Sequence, residues 1–285
     1  MKRADFRFRD RLRVRWAEVD MQKIVFNGHY LMYFDTAVAG YWRAMAMPYH
    51  ETMEQLEGDL YVRKATVEYL GSARYDDACE VGIRCERIGN SSILFKPALF
   101  RGEDLLVHGE LVYVFADPAT QTSRPVPAQL RQLLEDFETG APMLDVRVGT
   151  WDELGREAQR LRTEVFVQEQ KIPAELEWDA ADASALHAVA YNRFGLALAT
   201  GRLLEHEPGV AKIGRMAVTG TLRGSGVGRA VLEALVGAAR DRGFKRVLLH
   251  AQASAEGFYA RAGFAAEGDR FEEAGIPHVA MVRRL

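Results

Sequence analysis

The stretch LRGSGVGRA, residues 222–230, constrains this chain more than any other. Gly224, Gly226 and Gly228 alternate behind Arg223; the strand-like VAKIGRMAV precedes them and the helical run VGRAVLEALVGAARDRGF follows. A glycine loop between a strand and a helix gathers unpaired amides and the positive helix N-terminus around one point, which makes a cradle for phosphate. Glycine lets the backbone approach because no Cβ stands in the way. A Walker A loop is excluded, since no Lys-Ser/Thr follows the glycines. A dinucleotide fingerprint places its third glycine one residue later and opens its domain, whereas this loop lies in mid-domain. What remains is R-G-x-G-x-G.

A chain of 285 residues is long for one core, so two domains are expected. The net charge of −3 gives no electrostatic case for nucleic acid. No apolar run approaches the roughly 20 residues that span a bilayer, and MKRADFRFRDRLRVRW has neither the apolar region nor the cleavage site of a secretory leader. Cys79 and Cys85 are the only cysteines, which fits a reducing cytoplasm. Their spacing suits ordinary strand positions better than zinc, and no metal site is expected.

A Pro/Thr/Ser-rich joint begins at Asp117, a short amphipathic helix follows over 127–138 with Leu130, Leu133, Leu134 and Phe137 on one face, and TGAPM breaks it. Domains over 1–140 and 141–285 are expected. The first reads as a strand with arginines on one face (Arg7 to Arg15) and Phe6, Phe8, Leu12, Val14 and Trp16 mostly on the other. A helix striped by Leu31, Phe34, Val38, Tyr41, Trp42 and Met45 follows, then four β-rich segments: an α+β layout. The second mixes helices and strands: helical WDELGREAQRLRTEVFVQEQ, strands up to the glycine loop, the helix after it, the strand RVLLHAQA, the short helix SAEGFYARAGF and a last strand, HVAMVRRL.

With FY-x-x-x-GF (Phe258, Tyr259, Gly263, Phe264) downstream of the glycine loop, residues 144–285 resemble the GNAT superfamily of acyl-CoA-dependent N-acyltransferases. LRTEVFVQEQ, E-x-D (Glu177, Asp179), LHAVA, AQASAEGFY and EEAGIPHVAM resemble its ElaA-like branch. The resemblance implies a mixed α/β fold that uses acetyl-CoA or acyl-CoA. Met216, Ala217 and Val218 then stand where the pantetheine arm pairs with a strand, and Arg223, Gly224, Ser225, Gly226, Val227, Gly228 and Arg229 where the pyrophosphate is held. Tyr259 matches the acid that protonates the departing thiolate. Glu177, Asp179 and His278 are candidates for the base, and His187 reads as a core or surface residue.

In RWAEVDMQKIVFNGHYLMYFDTA, an acid ends a strand and Asn27, a good N-cap, precedes a long helix. A carboxylate facing a helix N-terminus suits acyl transfer, the amides polarising a carbonyl while the carboxylate attacks or activates water. Residues 8–138 resemble the hotdog-fold acyl-CoA thioesterases of the 4-hydroxybenzoyl-CoA and YbgC/FadM-like type. Asp20 matches the catalytic carboxylate, Tyr30 the aromatic after the motif, and the turn and helix start at Phe26, Asn27 and Gly28 the oxyanion donors. Lys23 stands where glycine is common and Asn27 where His is frequent. The resemblance implies a homodimer or homotetramer. Together the halves imply a bifunctional cytoplasmic enzyme of small molecules, without nucleic-acid or membrane partners: a thioester hydrolase joined to an N-acetyltransferase. In the alternative, one half is catalytic and the other is a CoA-binding or oligomerisation module.

Overall fold

The computed structural model describes residues 1–285 and divides into two compact units, Met1–Met143 and Leu144–Leu285. The first opens with β1 (Phe8–Arg13), α1 (His29–Ala44), α2 (Tyr49–Gln55) and β2 (Asp59–Tyr69), and continues through β3 (Ala78–Ile88), β4 (Ser92–Arg101), β5 (Asp104–Ala116) and α3 (Ala128–Thr139). The five strands form one antiparallel sheet in the order β1-β3-β4-β5-β2.

α1 is the hub of this unit. Tyr30, Phe34, Val38, Tyr41 and Trp42 recur at helical spacing and are buried. Tyr41 and Trp42 meet the edge of the Phe95 ring from β4. α3 closes over the sheet with Leu130, Leu133, Leu134 and Phe137 and ends at Gly140, whose φ of 95° only glycine adopts readily. Two expected inward residues face out: Leu31 is 39% exposed and Trp16 74%. Trp16 lies beyond the end of β1, so the strand alternation no longer governs it. The arginine face of β1 is satisfied within the unit: Arg3, Arg9 and Arg11 gather on Glu80, Arg13 pairs with Asp76, and Arg7 donates to the Phe137 carbonyl.

The second unit runs β6 (Leu144–Gly149), α4 (Trp151–Arg162), a π-helical segment (Thr163–Glu169), α5 (Ala174–Glu177), β7 (Leu186–Asn192), β8 (Ala197–Glu207) and β9 (Val210–Val218). It ends with α6 (Val227–Asp241), β10 (Arg246–Gln252), α7 (Glu256–Arg261), β11 (Ala265–Glu273) and β12 (Ile276–Arg284). Seven strands form a mixed sheet in the order β11-β12-β10-β9-β8-β7-β6, with only β9 and β10 parallel. The expected single helix over 151–170 is broken by the π segment. β11 is an addition to the sequence reading: AAEGDRFEE is almost wholly exposed at the sheet edge and has no apolar alternation to announce a strand. No helix is long and apolar enough to cross a membrane.

β9 and β10 position the site. Their ladder runs from Val210↔Arg246 to Ile213↔Leu249 and stops there, although both strands continue. On its other side β9 carries a bulge, where the register with β8 jumps between Thr200↔Ala217 and Arg202↔Gly214; Arg215 sits in it at φ 53°. The strands separate beyond Ile213, and β9 runs on to Val218, just before the glycine loop.

Candidate functional site

The loop after β9 is built to hold an anion. Gly224 and Gly226 stand at φ 83° and 93°, where a Cβ would be strained. Gly228, with ordinary helical geometry, has another reason: a Cβ there would lie 3.0 Å from the Val218 side chain. The first α6 bond joins the Ala230 amide to the Gly226 carbonyl, so the amides of Gly226, Val227 and Gly228 at the helix N-terminus have no partner in the fold. Ser225 braces the loop through Oγ to the Leu222 carbonyl at 2.6 Å. Arg229 is exposed beside it. Arg223 is committed elsewhere: its guanidinium forks onto Glu169, with two contacts of 2.6 Å, and reaches the Val218 carbonyl. Ala217 is buried against Val165 and Phe166 and contributes backbone alone.

A cavity of about 540 Å³ opens at the gap between β9 and β10, and Met216, Tyr259, Glu177 and His278 all line it. Tyr259 is 8% exposed and wedged between the rings of Phe258 and Phe264. Its hydroxyl has no protein partner, and burial pushes its pKa up to about 12, so it stays protonated at neutral pH. His278 has its Nδ1 2.7 Å from the Ile276 carbonyl, and a carbonyl can only accept, so Nδ1 donates there and Nε2 is the ring nitrogen left to exchange a proton. Its ring stacks on Phe271.

Glu177 belongs to an ion network that sequence spacing does not disclose. Arg162, 1% exposed, donates through Nε to Glu177 Oε1 at 2.6 Å and through Nη1 to Asp182 at 2.8 Å. Its guanidinium stacks on Trp178. Arg202 bridges Asp179 and Asp182, and Arg215 reaches Glu177 and Asp179. Burial lifts the Glu177 carboxyl above its usual range, although Arg162 and Arg215 pull the other way. Oε2 of Glu177 accepts no hydrogen bond from the protein. Asp179 is instead tied to Arg202, Arg215 and the Ala181 amide, which makes it a brace and leaves it poorly placed as a base. His187 is 1% exposed, its Nε2 2.9 Å from the Asp182 carbonyl and its ring against Trp151, a core role.

In the first unit, residues 18–26 form a tight hairpin. The Phe26 amide donates to the Glu18 carbonyl and the Asp20 amide to the Ile24 carbonyl, with Val19 bridged to Val25. Half-buried Asp20 accepts the Gln22 amide on Oδ1 at 2.8 Å, which leaves Oδ2 without a protein partner. The oxyanion set expected at the helix start is reduced, because the Phe26 amide is spent on Glu18; the Asn27 and Gly28 amides make no bond within the fold. The expected Asn27 N-cap is corrected as well. Gly28 holds that position with helical φ and ψ and no side-chain cap, while the Asn27 carbonyl accepts from Tyr69 Oη. Tyr30 accepts the Ala73 amide on its hydroxyl.

A residue the sequence did not single out holds this strap. Glu18, 3% exposed, accepts from the Arg15 amide and guanidinium and from Tyr33 Oη, all at 2.7 Å. Burial opposes its ionisation, but those donors outweigh it and its carboxyl titrates below the usual range. Lys23 closes the hairpin at φ 62°, which explains why glycine is common there. Lys23→Gly is expected to raise the urea midpoint of the N-terminal unit by the equivalent of about 0.5 kcal/mol, the relief of left-handed strain less glycine's greater unfolded entropy. An unchanged or lower midpoint would show that the turn carries no strain.

No group of three or more His, Cys, Asp or Glu is placed to hold a metal. Both cysteines lie on β3, and burial raises their thiols to about 11 for Cys79 and about 12 for Cys85, so neither is a ready nucleophile.

Comparison with known proteins follows the same division. The profile of the GNAT acetyltransferase domain matches residues 152–285, and that of the thioesterase superfamily residues 22–114. The chain is 36% identical over 129 residues to the uncharacterized N-acetyltransferase YjcF of Bacillus subtilis, covering 45% of this chain and 91% of that protein. The crystal structure of Escherichia coli ElaA is 29% identical, covers 50% of this chain and 99% of its own, and gives a TM-score of 0.45. A gentisyl-coenzyme A thioesterase structure is 16% identical over 45% of this chain and 99% of its own, at a TM-score of 0.41.

Proposed function

Because the chain belongs to the GNAT acetyltransferase family through its C-terminal half and carries a thioesterase-superfamily (hotdog) domain in its N-terminal half, we propose that it is a bifunctional enzyme of acyl-CoA. The C-terminal half transfers an acetyl or acyl group to an amine, and the N-terminal half hydrolyses an acyl-CoA thioester. The observation that carries the reading is a cavity at the opening between β9 and β10, lined by Met216 of the strand that runs on into the glycine loop and by Tyr259, protonated at neutral pH, and His278.

In the transferase half, the amides at the start of α6 hold the pyrophosphate of CoA, and the free edge of β9 from Gly214 onward receives the pantetheine arm. The acceptor nitrogen attacks the thioester carbonyl, the C–N bond forms and the C–S bond breaks. Tyr259 gives its proton to the leaving thiolate, and His278 Nε2, with Glu177 beside the same cavity, takes the proton of the amine. In the hydrolase half, the Asn27 and Gly28 amides stabilise the oxyanion while Asp20 attacks the carbonyl or activates water; the products are the free acid and CoA.

A homodimer or larger assembly through the N-terminal half is part of this reading. β2 is an edge strand, most of its residues are exposed, and exposed Phe26, Tyr69 and Leu70 accompany it. A long, largely exposed edge strand of this kind, with Tyr61, Val62 and Tyr69 among its exposed residues, invites pairing with a second copy. That one half only binds CoA or assembles the protein is the second reading, and turnover separates the two.

Gly226→Val tests the cradle. It forces a β-branched residue to φ 93° at the N-cap of α6 and is expected to weaken acetyl-CoA in the transfer reaction by about tenfold or more, as KM. Thiol release without amine keeps its rate. An unchanged KM would remove the loop from CoA binding.

A further inference from the structure

The cavity floor formed by β8 and β9 carries three cationic side chains that the proposed chemistry does not use; Arg215 is spent on Glu177 and Asp179, while Lys212 and Arg202 each keep an unmet donor. Lys212 lies on β9, inside the sheet between β8 and β10, and lines the cavity. An ammonium in the middle of a sheet is costly unless an anion meets it. The carboxylates nearby are engaged: Glu177 with Arg162, Asp179 with Arg202, and Asp182 with both arginines. Glu273, the remaining acid of the lining, lies 3.2 Å from His250; its charge reaches Lys212, but Lys212 forms no ion pair with it. Burial pulls the Lys212 amine below the usual lysine range, with Arg202 and Arg215 adding to the effect and Glu273 opposing it.

Arg202 supplies the second group. It is 7% exposed and spends both terminal nitrogens on Asp179 and Asp182, yet its Nε–H is buried with no partner. An orphaned charged donor is expensive and wants an acceptor. The register pairs Arg202 with Gly214 and Leu204 with Lys212, so Arg202 and Lys212 are diagonal neighbours on one face of the sheet, and that face lines the cavity. The same cavity is lined by His278, so the candidate base and this cationic corner border one space.

We propose that this corner receives an anionic group of the acceptor, and that the C-terminal half acetylates amines that also bear a carboxylate, that is, amino acids or close analogues. This rests on the transferase reading above. A carboxylate supplies the acceptor that the Lys212 ammonium lacks, the unpartnered Arg202 N–H on the same sheet face adds to that demand, and a cavity of about 540 Å³ admits a small acceptor.

The test compares amino acids with their carboxamides as acceptors of acetyl-CoA, following CoA release by the full-length protein. The wild type is expected to favour the carboxylate member of at least one pair by about tenfold or more in kcat/KM. Lys212→Met is expected to remove that preference by lowering the carboxylate rate and sparing the amide, and Lys212→Arg to retain most of it. Equal rates within every pair, or equal losses on both members in Lys212→Met, overturn the proposal. Calorimetric binding of the N-acetyl amino acid and its amide to the CoA-saturated protein gives a readout without turnover. If no amine is acetylated but the carboxylate still binds more tightly and loses that advantage in Lys212→Met, the transferase reading fails and the anion site stands. Equal affinities for the two products reject the anion site.

Discussion

Thiol release from acyl-CoA without added amine is expected to fall by about a hundred- to ten-thousand-fold in Asp20→Asn, while acetyl transfer to an amine keeps its rate. Asparagine is the informative replacement. Asp20 Oδ1 accepts the Gln22 amide at 2.8 Å and an asparagine oxygen can do the same, so the hairpin from Glu18 to Phe26 survives. What is lost is the charge and basicity of the second oxygen, the one with no partner in the fold. Direct attack and water activation both need that oxygen unprotonated. Glu18 cannot substitute, because Arg15 and Tyr33 hold its carboxylate in place. A thiol-release rate unchanged in Asp20→Asn would remove Asp20 from the chemistry and favour a hotdog half that only binds or assembles.

Tyr259→Phe carries the second large effect, a fall in kcat for acetyl transfer of about a hundredfold or more. The ring contacts with Phe258 and Phe264 are kept and only the hydroxyl is removed, so KM for acetyl-CoA should barely move. The sign of the pH dependence follows from burial. With a pKa of about 12, Tyr259 remains an acid throughout the neutral and mildly alkaline range, and no alkaline loss of activity below that value belongs to it. Activity should fall on the acid side, where the amine and the base that serves it are protonated. Burial raises the Glu177 carboxyl, which moves its share of that acid limb toward neutrality. Stopped-time assays of CoA release from pH 5 to 10 would show this; a KM effect without a kcat effect in Tyr259→Phe would recast the hydroxyl as a binding group.

Sequence patterns reach different parts of this molecule unequally. The strong periodicities were legible: the α1 stripe and the α3 face of Leu130, Leu133, Leu134 and Phe137 bury the residues that spacing picks out, Leu31 excepted, and the expected helix after Gly226 forms as α6. The glycine loop was legible because positive φ at Gly224 and Gly226 demands a residue type. β11 was not, since an exposed edge strand needs no apolar alternation. The partners of the candidate groups were also hidden. Arg162 and Glu177 are joined by tertiary packing, and nothing local distinguishes a buried arginine from an exposed one. Two residues did leave a trace: Arg202 and Lys212 interrupt otherwise apolar strand segments, ATGRLL and VAKIG, where a charge has to be explained. Arg223 and Phe26 fit the motif positions while the structure engages the guanidinium of one and the amide of the other. A motif assigns a position; it does not report which of its atoms are already bonded.

The central claim is that two separate acyl-CoA chemistries reside in one chain. The most direct measurement is CoA release from a panel of short, long and aromatic acyl-CoAs, with and without amino-acid acceptors, for the wild type, Asp20→Asn and Tyr259→Phe. The account requires a crossed pattern: Asp20→Asn loses the amine-independent release alone, and Tyr259→Phe loses the amine-dependent release alone. A single substitution that removes both activities, or a wild type that releases CoA only when an amine is present, would contradict it.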